Sequence, residues 1–505
     1  MRTKIAIKNT IASIILEVVV AISGLILPRF FISVYGSSVN GLVSSIGQFI
    51  TYMGLVEAGV GAAATVELYK PLASNNHDKI NEIVSAARGF YQRSGSLFVI
   101  LDLILIISYP LIVRNEIADV SFVRVMIIVL SLNGIVDYFL LGKYRVLLTA
   151  DQKIYIISIA QSIGTIITLF ISIILIEMRC SAILVKSVVA IVYLLRTLYI
   201  VYYVKHYYQY LDIKAEYSKS IFPQRKAALF HQIVGMICNN TDIVLLTVML
   251  QTNALVEVSV YAVYNMVAAN LTALFNSISK GVGATFGEII ARGDQKSLEH
   301  DFDYFELLYF MLLFVVYTCM GVLLYAFIKL YSSSFSDAEI YLRWSLVFMF
   351  TACGIAQNIR IPGMTVQLSA GHYKQTQGAA LLEAVLNIGV SISLVRKLGI
   401  IGVLLGTLIA YLYRSTYTII YNDHHFLPGT LKRTVARFVR NLFLFGAITA
   451  VGIVLVTKFT HSWFLWLFYA VVLFILTTLL FIIINYIFEP KLVKGCFRYV
   501  KRIKR

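Results

Sequence analysis

A few groups that can do chemistry stand inside long apolar runs of this chain. Arg29, Lys186, Arg196 and Arg360 are cations of this kind, and Lys329 and Arg414 are two more. An arginine fork stays charged and grips two oxygens of an anion at once, whereas a lysine is a point charge. The acids are Glu17, Glu57, Asp137, Asp242 and Glu383. Carboxylates in apolar surroundings can carry a proton or bind Na⁺, because burial penalises their charge. Asn239, Asn240 and Thr241 lead directly into Asp242, so one stretch offers several oxygens to a hard cation. A cluster of hydrogen bonds between helices explains the same residues equally well. Glu57 precedes Gly59-Val60-Gly61, a run small enough for close helix packing. The roles predicted are anion binding and coupling to H⁺ or Na⁺. No catalytic residue, metal site or cofactor is predicted: the five cysteines are scattered, and no G-x-x-x-x-G-K-[ST] loop occurs.

The elements that must hold these groups are membrane spans. Hydrophobic residues make up 59% of 505 and charged ones 14%, too apolar for the cores of soluble domains. Apolar stretches fall at 11–34, 39–66, 92–113, 120–141, 154–176, 182–204, 227–250, 258–279, 304–331, 339–366, 377–395, 400–422, 439–457 and 463–487. They are too long, and alternate too little, to be barrel strands. The sequence therefore predicts an all-α polytopic membrane protein with fourteen transmembrane helices. With the N-terminus inside, 30 Lys and Arg flank cytoplasmic ends against 7 on the outer side. Both termini are thus expected in the cytoplasm. The net charge of +17 is mostly this asymmetry, and the basic tail 491–505 suits anionic headgroups. Nucleic acid is not an expected partner, since no folded soluble domain accompanies the tail. The first stretch runs straight into a second, without a small-residue cleavage site, so it is expected to be a span rather than a signal peptide.

The chain also repeats itself. Gly59-Val60-Gly61-Ala62-Ala63 returns as Gly281-Val282-Gly283-Ala284-Thr285, and Gly134-Ile135 with Leu148-Thr149-Ala150 as Gly354-Ile355 with Leu368-Ser369-Ala370. Arg196-Thr197-Leu198-Tyr199 returns as Arg414-Ser415-Thr416-Tyr417. The spacing is about 220 residues throughout, as an internal duplication requires. It predicts two six-helix lobes related by a pseudo-twofold axis along the membrane normal: 1–204 with spans 1–6, and 205–422 with spans 7–12. Residues 423–505, with spans 13 and 14 and the basic tail, are an appendage. His206–Arg225 is expected to be an exposed linker.

Several runs carry a family resemblance. They are Tyr35-Gly36-Ser37-Ser38-Val39-Asn40-Gly41-Leu42-Val43-Ser44-Ser45-Ile46, Leu68-Tyr69-Lys70-Pro71-Leu72, and Ala370-Gly371-His372-Tyr373-Lys374-Gln375-Thr376-Gln377. Glu383, Asn387 and Gly402…Gly406-Thr407 follow the last. On these the chain resembles the polysaccharide (Wzx-like, O-antigen or capsule repeat-unit) flippases of the multidrug/oligosaccharidyl-lipid/polysaccharide exporter superfamily, with its MATE-like plan. The resemblance covers residues 1 to about 425. It implies a substrate, an oligosaccharide repeat unit on undecaprenyl diphosphate, turned between leaflets of a bacterial cytoplasmic membrane by alternating access. A polysaccharide polymerase and chain-length proteins are the implied partners, alongside membrane lipids. Multidrug cation extruders and lipid II flippases share the superfold and are the alternatives. The resemblance also implies that the first helix of each lobe lines a cavity. Arg29, following Pro28, either binds the diphosphate there or snorkels to the outer headgroups. Arg360, two residues before Pro362, either binds an anion or snorkels inward. Lys186 and Arg196 are the further candidates for the diphosphate, and Asp242, Asn239, Asn240, Glu17 and Glu57 for the ion.

Overall fold

The structure is a computed structural model and describes residues 2–57, 59–117, 119–217, 225–250, 252–459 and 462–495. Among these the chain is helical, without a strand. Among the described residues twelve helices are long and apolar enough to cross a membrane, and the protein is a multi-pass membrane protein. It divides into two compact units, Met1–Ala262 and Val263–Arg505.

The first unit holds α1 (Arg2–Met53), α2 (Val60–Ala73), α3 (His77–Ile112), α4 (Val120–Val136), α5 (Gly142–Ala150), α6 (Ile154–Glu177), α7 (Ala182–Tyr207), α8 (Arg225–Met249) and the start of α9 (Ala254–Arg292). The 52 residues of α1 would reach roughly 78 Å as one straight helix, against about 30 Å of hydrocarbon. They do not run straight. Gly36 breaks the helix at φ 82, ψ 168, a conformation open to a residue without Cβ. The expected spans 1 and 2 meet at that break. Past it, Asn40 Nδ2 donates to Ser259 Oγ at 2.8 Å, and Ser45 Oγ lies 2.8 Å from Thr247 Oγ1. A Cβ on Gly41 would collide with the Leu255 carbonyl, 1.7 Å away. The Tyr35–Ile46 run is therefore a packing seam against α8 and α9. Of α8, where span 7 is expected, Asn240–Met249 is a short apolar helix among the described residues.

The linker departs from expectation. Residues 208–217 lie on α3 and are not a solvated strand. Tyr210 stacks on His77 at 3.8 Å, Arg88 donates to the Ile213 carbonyl at 3.0 Å, and Tyr208 is buried. Its hydroxyl donates to Asp151 Oδ2 at 2.5 Å, and burial together with that bond pushes the Tyr208 pKa above the ordinary phenol value. Tyrosines with Leu211 and Ile213 supply apolar area that the charges around them conceal in the sequence.

The second unit continues α9 and adds α10 (Gln295–Tyr331), α11 (Trp344–Asn358), α12 (Ile361–Ser369), α13 (Gln377–Leu398), α14 (Ile400–His425), α15 (Leu431–Phe459) and α16 (Trp463–Phe488). α10 is its central post and packs on α11, α15 and α16, while α13 and α14 form a tight hairpin.

Several helix ends share one turn chemistry. After α2, Asn75 N–H donates to Leu72 and Asn76 N–H to Pro71; after α9, Gly293 N–H donates to Ile290 and Asp294 N–H to Ile289. Asn76 then caps α3 by accepting from Lys79 N–H, as Asp294 caps α10 by accepting from Ser297 N–H. Hydrogen bonds from Ser297 hold the exposed Asp294 carboxyl below the usual range. Gln152 and Gly371 close α5 and α12 with the same pair of bonds, both at positive φ. The glycine run behaves differently: Gly59 has φ 84 before α2, whereas Gly281 lies inside α9.

Candidate functional site

The densest buried charge of the α11–α14 region grows out of two local features. The first is the end of α11. Arg360 is the N-cap of α12, and Pro362 follows in its first turn, so the span breaks there and a helix starts where no proline N–H is needed. The second is the α13–α14 hairpin. A Cβ on Gly402 would lie 2.6 Å from the Leu394 carbonyl carbon, and one on Gly406 2.2 Å from Ser391 Oγ. Only glycine permits that approach. Glu383, Asn387 and Ser391 share one face of α13, and Gly402, Gly406, Ala410 and Arg414 one face of α14. Asn387 donates to Thr407 Oγ1 at 3.0 Å. The seam ends with Glu383 opposite Arg414.

There Glu383 meets two arginines. Arg360 Nη1 donates to its Oε1, and Arg414 Nε lies 3.7 Å from its Oε2. Arg414 Nη1 donates to the Thr376 carbonyl at 3.2 Å. The guanidiniums stand over the rings of Tyr411, at 5.0 Å, and Tyr417, at 5.5 Å. Side-chain exposures are 11% for Arg360 and 6% for Glu383 and Arg414, so water does little to spread the charge. Among the described residues no second carboxylate pairs with either arginine. The cluster carries one surplus positive charge. Arg360 is thus ion-paired inside the protein and does not snorkel.

An apolar groove of about 620 Å³ starts one residue from each arginine. Ile359 and Ser415 line it, with Phe348, Leu412, Val435 and Phe438.

A second cluster joins α15 and α16 to α10. Arg433, Arg437 and Arg440 share a face of α15. The fully buried Arg437 donates to Glu306 Oε2 at 2.7 Å and to Glu489 Oε2 at 2.6 Å. Arg433 pairs with Asp303 at 2.5 Å and Arg440 with Glu489 at 2.8 Å. Three arginines face three carboxylates. In the sequence the cluster is marked by the i, i+4, i+7 spacing of these arginines and by Asp303 and Glu306 at i, i+3.

In the first unit, Glu57 ends the 3₁₀ turn Gly54–Glu57 and accepts from Tyr91 Oη at 2.6 Å. Asp137 opens the π turn Asp137–Leu141, pairs with Arg145, and accepts from Tyr193 Oη at 3.2 Å. Arg196 lies 4.1 Å over the Tyr193 ring. Two irregular turns, a type that recurs at functional sites, thus gather two acids and two arginines.

The other predicted residues separate. Lys186 Nζ lies 4.5 Å from the ring of Phe31, two residues beyond the half-buried Arg29, so both cations border one stretch of α1. Arg196 is ten residues along α7 from Lys186, about 15 Å, and belongs to the Asp137 network. Asp242 is buried and accepts from Tyr261 Oη at 2.7 Å. Thr241 shares a 2.6 Å hydrogen bond with Tyr52. Asn240 is half-buried, the Asn239 side chain lies outside the described residues, and Glu17 is exposed. No group of three or more His, Cys, Asp or Glu that could hold a metal occurs among the described residues. Asp102, in the middle of α3, was missed: it is buried, accepts from Ser131 Oγ at 2.9 Å, and its Oδ1 accepts nothing.

No protein-family model matches the chain, and no curated protein sequence does. Solved structures do. A MATE-family multidrug resistance transporter of the MOP superfamily, inward-facing, superposes with a TM-score of 0.63 at 13% identity, covering 83% of this chain and 95% of its own. The lipid II flippase MurJ, in an inward closed conformation, gives 0.62 at 17% identity over 96% of this chain and 100% of its own. An outward-facing MATE transporter gives 0.51 at 14%, over 85% and 96%. The chain shares the MATE and MurJ fold. At such identities the likeness is one of architecture, and its reach differs: MurJ spans nearly all of this chain, and the MATE structures leave more of it uncovered.

Proposed function

We propose that this chain is a flippase, not an enzyme, which turns an oligosaccharide repeat unit on undecaprenyl diphosphate from the inner to the outer leaflet of a bacterial cytoplasmic membrane. One observation carries the reading: Arg360 and Arg414 hold a buried cation surplus, and their neighbours in the chain, Ile359 and Ser415, line an apolar groove. An anionic headgroup on a hydrocarbon tail needs that pair of surfaces side by side. Arg29 and Lys186, on one stretch of α1, are the second cationic site, with Arg196 a reserve. Asp242, with Glu57, Glu17, Asn239 and Asn240 behind it, is the coupling candidate for H⁺ or Na⁺. A polymerase and chain-length proteins are the proposed partners in capsule, exopolysaccharide or O-antigen synthesis.

The reading takes fourteen spans, with α1 counted as two and α8 as one, two six-helix lobes (1–204 and 205–422), a C-terminal pair, and both termini in the cytoplasm. An impermeant thiol reagent then labels a cysteine at Ser462 from outside, and one at Gly293 from inside only. Outside labelling at Gly293 overturns the orientation.

Lipid II is the second reading, favoured by the extent of the MurJ superposition. A multidrug cation extruder is the third; it wants an acidic cavity, and the unbalanced cluster here is cationic. Proteoliposome flipping assays separate the three. A lipid-linked oligosaccharide is expected to move, and lipid II and ethidium are not. Ethidium transport without glycan transport overturns the proposal.

A further inference from the structure

Resting on that flippase reading, we infer that Glu383 is a tethered competitor for the substrate's diphosphate, holding Arg360 and Arg414 until the phosphate oxygens displace it. The inference starts from charge. The Arg437 cluster pairs three guanidiniums with three carboxylates, and around Asp137 two arginines stand with two acids, Arg145 paired with Asp137, Arg196 over the Tyr193 ring and Glu57 bonded to Tyr91. The Arg360–Glu383–Arg414 cluster alone among these three is unbalanced, and it is nearly dry. A buried charge without its counter-ion is costly, so a site kept in this state is built to receive an anion.

The arithmetic then selects displacement over addition. A sugar diphosphate lipid bears two negative charges at neutral pH. With Glu383 in place the two arginines can neutralise only one of them. With Glu383 withdrawn they neutralise both, each fork taking two oxygens. Geometry agrees. Glu383 Oε1 and Oε2 each face a different guanidinium, so one carboxylate bridges both forks as a phosphate group would. The space beside Arg360 lined by Glu306, Gly363, Asn422 and Thr434 is only about 10 Å³, too small to take a phosphate group on that side of the guanidinium. A resident anion keeps affinity moderate. The substrate is held while its phosphates occupy the forks and released when Glu383 returns, which a flippase needs on its outward side.

The test uses the purified full-length protein in nanodiscs, at ionic strength fixed with chloride, with inorganic pyrophosphate and undecaprenyl diphosphate as probes. Glu383→Gln removes the competitor. It is expected to bind undecaprenyl diphosphate about tenfold or more tightly than wild type. Its Tm is expected to be lower without anion and to rise more steeply with either probe. Adding Arg360→Gln or Arg414→Gln to that variant abolishes the gain. Glu383→Asp draws the carboxylate back by one methylene without losing the charge, so it keeps the test alive if Glu383→Gln does not fold; it is expected to bind a few-fold tighter than wild type. Unchanged or weaker binding by Glu383→Gln, or by Glu383→Asp in its place, overturns the inference. If both forms bind undecaprenyl diphosphate equally, the flippase reading stands and the competitor role falls. If Glu383→Gln gains pyrophosphate affinity but no form binds the lipid diphosphate, the anion site stands and the lipid-linked reading falls.

Discussion

Arg437 and Arg360 are both buried arginines of the second unit, and they teach opposite lessons. Arg437 is surrounded by Asp303, Glu306 and Glu489, with two further arginines to complete the balance. Such a cluster ties α15 and α16 to α10 and has no charge left for a ligand. Arg360 shares one carboxylate with Arg414, and its chain neighbour Ile359 lines an apolar groove. Arg437 is fully buried and Arg360 11% exposed, so burial separates them little and charge balance separates them clearly. Balance marks the structural cluster, and imbalance is the ground on which an anion-binding role is proposed for the other.

The sharpest way to break this contrast is Arg437→Ala. It strands Glu306 in a dry site, and a broken buried pair costs about 3–5 kcal/mol. The variant should express poorly and melt far below wild type in detergent. Removing Arg437 and Glu306 together, as Met and Met, leaves Asp303 with Arg433 and Glu489 with Arg440, and should recover much of the loss. If the double variant is no better than the single one, the cluster is not the balanced lock described.

Arg360→Ala should behave in the opposite sense. Glu383 keeps Arg414, so the melting temperature falls much less than for Arg437→Ala. Export should fall roughly tenfold or more, because a two-pronged donor has gone, and Arg360→Lys should restore part of it. A large stability loss with a proportionate loss of export would place Arg360 with Arg437.

Arg29 extends the contrast to the first unit. Arg29→Ala should strongly reduce export at normal expression, and Arg29→Lys should rescue it in part. Normal export by Arg29→Glu would remove this cation from the substrate path, since reversing its charge ought to repel a diphosphate.

Asp242→Asn is the mildest test. If Asp242 carries the ion, ion-driven flipping slows while substrate binding persists. The Tyr261 hydroxyl can still donate to the amide oxygen, so the fold should survive. Unchanged transport assigns Asp242 to packing.

Much of this molecule was legible before any coordinates. Apolar runs long enough to span hydrocarbon declare themselves, because a bilayer admits few alternatives to a helix. The turns at Asn75 and Gly293 and at Gln152 and Gly371 close their helices with the same pair of backbone hydrogen bonds, as does the turn at Arg179. The Gly402…Gly406-Thr407 run was noticed, but its meaning, a seam that delivers Glu383 to Arg414, was not.

The sequence by itself determined the helical membrane architecture and the roster of charges inside the spans. It determined these because hydropathy and period are properties of neighbouring residues. Tertiary structure alone decided which charge meets which. Glu383 and Arg360 are 23 residues apart, and Arg437 and Glu306 are 131 apart. Docking of the Tyr208–Tyr217 segment on α3 was decided in the same way. Whether an arginine is a lock, a binding group or an anchor depends on how many carboxylates the folded chain brings within a few ångströms. That number is set by packing between distant helices, which no local pattern records.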